Sequence, residues 1–379
     1  MKKLFTDDMI LTKIIPTTAG SKMLDGYVSL FEAEALTRLT NSGYTLEGKC
    51  QVGEFAIDLL GETSYKGAVY ADGKLVNPLA KAISENDAIG LALDVNGSVR
   101  RAAAQSGLVS IKPTYGTVSR YGTVPVACSG ETVSILAKCP CCCSEALKAI
   151  SGHDDKDGTS LPSSIIAECE KEKKIERITV LKSMSNGIDT ETHAKLDEAV
   201  EAFKKNGIEV VEMDDNVICL SKIAWNILMS AELCNNVSRY DGVKYGYRAE
   251  NFSGIDELYT NSRTEAFGDL LKTAILFGSE TLSTDNYMKV YDKALRTRRV
   301  IVEEFGKLFK DFDAVLLPAT SKMAYTKEFV ESDKQVAFEE NFYTAPASVT
   351  GLPAVVAGGI QLIGKAFSEY ALLEAVKVL

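Results

Sequence analysis

The apolar and polar positions alternate between helical and strand periods along the chain. Lys2–Thr6 has the alternation of a strand, and Leu30–Thr40 carries apolar residues at helical spacing with Gly43 as a stop signal. Tyr44–Glu47 reads as extended. Pro78–Leu93 reads as one helix, with Pro78 suited to its first turn. Ile178–Leu181 is a strand pattern. Ala194, Ala199, Val200 and Phe203 mark a helix over Thr190–Lys205, Gly207 ends it, and Ile208–Glu212 resumes as a strand. Ser262-Arg263-Thr264-Glu265 has the form of a capping box opening a helix that stops at Gly278. Met288–Phe309 predicts a long charged helix, and Ala314–Leu317 and Ala354–Val356 predict buried strands. Helix–Gly–strand units in this order predict an α/β protein, with helical layers around a large mixed sheet.

Composition narrows the function classes. The chain has 379 residues, 46% hydrophobic, and a formal net charge of −10, from 42 Lys plus Arg and 52 Asp plus Glu. That charge argues against a broadly basic nucleic-acid binder. No uninterrupted apolar run reaches the roughly 18 residues of a membrane span, and the first residues turn acidic at Asp7-Asp8, too early for a secretory signal. A cytoplasmic protein is expected. The runs Glu168–Lys174 and Arg296–Arg299 read as solvated faces, with a small basic contact surface at Arg296, Arg298 and Arg299 as the lesser alternative.

Nine cysteines, four of them in Cys139-Pro140-Cys141-Cys142-Cys143, are too few and too clustered for a disulfide scaffold. Reduced thiols are the plain reading. A metal site would need a further ligand pair at metal spacing, and His153 and His193 do not form one. Neither a metal nor a cofactor is expected.

The unusual chemistry concentrates in Asp94–Gly122. A Gly97-Ser98 turn running into Val99-Arg100 lets backbone approach a ligand closely and sets amide N–H groups beside a hydroxyl. The longer string Asp94-Val95-Asn96-Gly97-Ser98-Val99-Arg100 is more specific. So are Thr17–Leu24, Gly48-Lys49 with Glu54-Phe55-Ala56, Ile111–Gly122, and Gly152-His153-Asp154. Ser238–Gly246, Tyr343-Thr344-Ala345-Pro346, Gly351-Leu352-Pro353 and Ile360–Lys365 complete the series. Together, in order and across nearly the whole chain, these segments resemble the amidase signature family. Within it they resemble the amide-hydrolysing A subunits of tRNA-dependent amidotransferases.

The resemblance implies an amidase-signature fold, α/β/α layers around a large mixed sheet, as a single domain over residues 1–379 without the family's N-terminal helices. It implies an amide hydrolase with a Ser–cis-Ser–Lys triad. A buried, neutral lysine works through a bridging serine on a nucleophilic serine, and backbone N–H groups hold the oxyanion. Ser98 falls at the nucleophile, and Asp7 falls at the lysine. The bridging-serine loop corresponds to Gly73–Lys81, which contains no serine. Gly97, Arg100, Tyr240, Tyr245 and Asn341 fall at substrate-binding positions, Asn341 where an aspartate would hold a glutamine amine. Thr273 or Ala274 stands where an arginine would hold its carboxylate. The resemblance also implies partner subunits, a tRNA and a small amide ligand. With base and relay both altered, the expectation is weak or absent catalysis. The alternative is an active amidase in which Ser98 is served by Asp7 or by Lys2, Lys3 or Lys112. A third reading is a degenerate product that folds poorly.

Overall fold

The computed structural model describes residues 2–171 and 173–379. The strands, in chain order, are β1 (Lys2–Asp7), β2 (Tyr44–Cys50), β3 (Ala88–Asp94), β4 (Val109–Lys112) and β5 (Thr132–Ala137). They continue as β6 (Arg177–Leu181), β7 (Glu209–Met213), β8 (Ala314–Pro318), β9 (Ala354–Ala357) and β10 (Ile360–Gly364). All ten join one mixed sheet in the order β2-β1-β3-β5-β4-β9-β10-β8-β6-β7. β1 runs parallel to both β2 and β3, and β6 parallel to both β7 and β8; the central pairs are antiparallel. Every residue of β3, β4, β5, β8, β9 and β10 is buried, which requires helices on both faces.

The helices used below are α1 (Glu34–Asn41), α2 (Pro78–Asn86), α3 (Ser98–Ser106), α4 (Pro140–Ile150) and α5 (Thr190–Lys205). They continue as α6 (Ser221–Val237), α7 (Ile255–Ala266), α8 (Asp269–Thr281) and α9 (Asp292–Asp311). α5 keeps the predicted bounds: Asp189 caps it by accepting from the Thr192 amide, and Lys204 and Lys205 close its last turn.

Three expectations need correction. The helix read over Pro78–Leu93 ends at Asn86, Asp87 turns left-handed with φ 51°, and β3 follows. Ala88–Asp94 is a short apolar run buried on both faces, and such a run carries no period to separate strand from helix. Gly90 lets α2 lie on β3: a Cβ there would come within 2.6 Å of Ile83. The Ser262 capping box opens no helix. Ser262 lies inside α7, where its Oγ accepts from the Ala249 amide, and α8 starts only at Asp269. Gly278 does not stop α8 but lets it press against α6, since a Cβ there would stand 2.0 Å from the Ser230 carbonyl oxygen. The helix over Leu30–Thr40 begins later, at Glu34; Phe31, before it, stacks on Tyr121 at 5.0 Å. Among the described residues, no helix is long and apolar enough to cross a membrane.

Candidate active site

Three parallel strands, β2, β1 and β3, end side by side, and their C-terminal ends carry the residues of interest. Asp7 ends β1 opposite Cys50 of β2. β3 ends at Asp94, and a three-residue turn of Val95, Asn96 and Gly97 delivers Ser98 as the first residue of α3. This is the crevice beyond strand carboxyl ends where open α/β sheets place their sites.

Ser98 is almost fully buried, and its hydroxyl has no hydrogen-bond partner among the described residues. Gly97 before it has φ 84°, and a Cβ there would stand 2.3 Å from Thr344 Oγ1, so only glycine fits the turn. No side chain caps α3, and its first amides are therefore available to an oxyanion.

Asp7 is buried, and its two oxygens are divided between two backbone donors. Oδ1 accepts from the Met9 amide at 3.0 Å and Oδ2 from the Leu93 amide at 2.9 Å. Burial pushes its carboxyl up to about 7, against the pull of these two bonds. Lys49, one residue out of register with Asp7 on β2, serves Asp8 instead. Its Nζ lies 3.7 Å from Asp8 Oδ1 and donates to Thr17 Oγ1 at 2.5 Å, while Asp8 also accepts from the Thr18 hydroxyl. Burial brings Lys49 down to about 8.

The other lysines weighed as bases stand elsewhere. Lys2 and Lys3 begin β1, at the opposite end from Asp7. Lys112 is wholly buried on β4, donates to the Leu352 carbonyl at 3.2 Å, and is brought down to about 7 by burial and by Arg100. The segment aligned with the bridging serine forms a short hairpin, Tyr70–Ala71 with Lys74–Leu75, and the start of α2, where Asn77 caps the Ala80 amide.

Arg100 is wholly buried and spends its donors inside the protein. It makes a two-pronged pair with Asp94 at 2.9 and 3.0 Å, and further bonds reach the Thr344 carbonyl, Gln361 and Ser348. Arg101 likewise holds the carbonyls of Asp58, Leu59 and Asn96. These two arginines clamp the Ser98 turn to its surroundings.

Asn341 joins the Ser98 turn to α6. Its Nδ2 donates to Asn96 Oδ1 at 2.9 Å and to Asn226 Oδ1 at 2.6 Å, and Trp225 Nε1 also donates to Asn96 Oδ1. Asn341 Oδ1 is buried with no partner among the described residues. Asn226 lines a cavity of about 260 Å³ together with Thr273, Ala274 and Phe277. The two positions expected to face a glutamine carboxylate thus share one cavity, one hydrogen bond away from Asn341. Tyr240 and Tyr245 meet edge to face at 6.0 Å and line a different cavity of about 370 Å³ with Leu11, Tyr27 and Thr123. Burial pushes the Tyr240 hydroxyl up to about 12. The structure therefore unites Ser98, Gly97 and Asn341 through Asn96, and sets the tyrosine pair apart.

Sequence reasoning quoted Asn96 and Thr344 within motifs but gave them no role, and it passed over Asn226 and Trp225, which have no local signature. It also did not foresee the left-handed backbone of the motif residues Ala19, Phe55 and Ala56, non-glycine residues at φ 51°, 53° and 55°. The Phe55 amide donates to the Ala19 carbonyl at 2.8 Å, and its ring lies tilted against Tyr240 at 5.6 Å. Left-handed backbone of this kind is strained and gathers where a fold is over-determined.

The same segments are matched in known proteins. The Amidase family matches residues 7–85 and 80–373. The A subunit of glutamyl-tRNA(Gln) amidotransferase from Lachnoclostridium phytofermentans is 34% identical over 397 residues, spanning 97% of this chain and 80% of that protein. The protein of the same name from Streptococcus pneumoniae is 34% identical over 389 residues, with the same coverage. Among solved structures, the A subunit of the Thermotoga maritima glutamyl-tRNA(Gln) amidotransferase superposes with a TM-score of 0.82 at 25% identity, over 100% of this chain and 82% of that one. With its ten-stranded mixed sheet and its Ser98 turn in the matched region, this chain belongs to the amidase family.

Proposed function

We propose that this chain is an amidase homologue, similar to the A subunits of tRNA-dependent amidotransferases, whose amide-hydrolysing machinery is lost or residual and whose retained crevice serves binding. The observation that carries this reading is the state of Asp7. A base must aim a lone pair at the nucleophile, and each Asp7 oxygen already accepts a backbone amide, which makes its remaining lone pair a weaker base. The Ser98 hydroxyl has no hydrogen-bond partner among the described residues to take its proton, and the relay segment carries no serine. Catalytic groups that act as a unit fail together, so loss of base and relay removes most of the rate.

One observation favours a second reading. The Asp7 carboxyl, raised to about 7, lies where a general base works best, which would suit an active amidase built on Ser98. Ammonia release from glutamine, asparagine and small amides separates the two. Under the first reading, wild type and Ser98→Ala release ammonia equally slowly. Ser98-dependent release, lost in Asp7→Asn by a factor of about 10² to 10⁴, would establish the second.

The relatives are named as parts of an amidotransferase, and on that likeness we infer amidotransferase-type partner subunits, and with them a tRNA, as the company this chain keeps. The matched segments, from 7 to 373, support one amidase domain over 1–379. The cavity beside Asn226, Thr273 and Asn341 is the place we assign to a small amide, because its amide side chains complement one. Nine free cysteines fit a reducing cytoplasm.

A further inference from the structure

We propose that Cys139 and Cys142 form a redox-active dithiol that closes to a disulfide by exchange with low-molecular-weight disulfides. From sequence the Cys139–Cys143 cluster reads as reduced thiols with no role demanded, but Cys139 and Cys142 are three residues apart across the first turn of a helix. That spacing brings side chains onto one face. Pro140 sets the start of α4, and Cys139 is its N-cap, with Sγ accepting from the Cys142 amide at 3.2 Å. The two Sγ atoms lie 2.7 Å apart, and Cys141 Sγ completes a set within 4.8 Å. Cys141 is exposed and the other two are half-buried, whereas Cys143 is buried against the Val109 carbonyl.

The electrostatics divide the roles. Burial opposes ionisation of Cys139, yet hydrogen bonds from Cys141 and Cys142 leave its thiol below the usual range. Burial and the neighbouring Cys139 push Cys142 up to about 12. A low-pKa thiol at a helix N-terminus is the attacking group of such pairs. The Cys139 thiolate attacks one sulfur of the small disulfide, forms a mixed disulfide and releases one thiolate. Cys142 then gives its proton to solvent, attacks Cys139 sulfur and releases the second. Two protein thiols become one disulfide, and the small disulfide becomes two thiols.

The resolving thiol opens onto a cavity. Cys142 lines a cavity of about 270 Å³ with Lys2, Lys3, Tyr44 and Lys138 at the N-terminal ends of β1, β2 and β3. This lies at the opposite end of the strands from Ser98, so the inference stands apart from the proposed function. A shared metal fits the pair less well. Among the described residues Cys139, Cys141 and Cys142 supply three sulfurs and no fourth protein ligand, where a structural zinc site takes four.

The test equilibrates reduced protein with glutathione and glutathione disulfide, quenches with acid, alkylates free thiols and maps peptides by mass spectrometry. The expected result is an internal disulfide between residues 139 and 142, reversed by excess reduced glutathione. Cys142→Ser should accumulate glutathione on Cys139, Cys139→Ser should react roughly tenfold more slowly or worse, and Cys141→Ser should behave as wild type. Thermal melts of each variant show that it is folded. A persistent glutathione adduct on the wild-type protein, a disulfide to Cys141 or Cys143, or no reaction at Cys139 would overturn the proposal. So would one equivalent of zinc, retained by the purified protein, that blocks oxidation.

Discussion

Asp7 holds two backbone amides at the point where a parallel strand pair opens toward the Ser98 turn, and substitutions there report on that work. Lysine, the residue that the family resemblance implies at this position, would set an ammonium against the Met9 and Leu93 amides. Asp7→Lys is expected to lose several °C of melting temperature and to gain no hydrolysis. Asp7→Asn satisfies one amide and turns an NH2 toward the other, at a cost of about 1–3 kcal/mol, read by urea denaturation. Arg100 gives a sharper contrast. Arg100→Leu would leave Asp94 charged and buried, at a cost of about 3–5 kcal/mol. A purely substrate-binding arginine would instead leave denaturation unchanged. Ser98 and Asn341 were singled out from ordered motifs around Gly97 and Tyr343, and Asp7 by its distance from Thr17-Thr18. Asn96, Asn226 and Trp225 were not, because their bonds join residues 115 to 245 positions apart, and no local pattern records such a pairing.

At the scale of elements, glycine decides two packings that the apolar pattern did not reveal. Gly278 in an isolated helix would be improved by alanine, by about 1 kcal/mol. In α8 the added Cβ meets the Ser230 carbonyl, and forcing α6 and α8 apart costs about 1–3 kcal/mol. Gly278→Ala is therefore expected to destabilise, and a calorimetric melt gives the sign directly. Close packing at a glycine also explains why β3 was read as helix. Leu79 and Ile83 of α2 lie over Gly90, so the buried apolar residues of helix and strand run together in sequence while packing face to face in space. α5 and β7, each bounded by polar caps or Gly207, were legible because one face meets water and the period survives.

Across the whole molecule, several carboxyls are withdrawn from water, Asp7 and Glu54 buried and Glu62 half-buried. Burial raises Asp7 to about 7, Glu54 to about 7 and Glu62 to about 8. Each binds a proton in the folded chain that it releases on unfolding above its ordinary range. Unfolding then sheds protons, and stability falls as pH rises from about 4.5 to about 7; above that, Lys112 and Lys49, lowered by burial to about 7 and 8, take up protons on unfolding and oppose the trend. The protein should melt at a higher temperature at pH 5 than at pH 7, and proton release on unfolding near pH 6 should be measurable by calorimetry in buffers of different ionisation enthalpy. A flat or rising profile would mean that these carboxyls are ionised in the fold.

Function at the crevice beyond β1, β2 and β3 turns on whether Ser98 is activated. Labelling folded protein with a fluorophosphonate probe and mapping adducts by peptide mass spectrometry tests that without knowledge of a substrate. A lost or residual machinery predicts no adduct on Ser98, in wild type as in Ser98→Ala. An adduct on Ser98 that Ser98→Ala abolishes would contradict that reading, and would make Asp7 the first residue to test as the missing base.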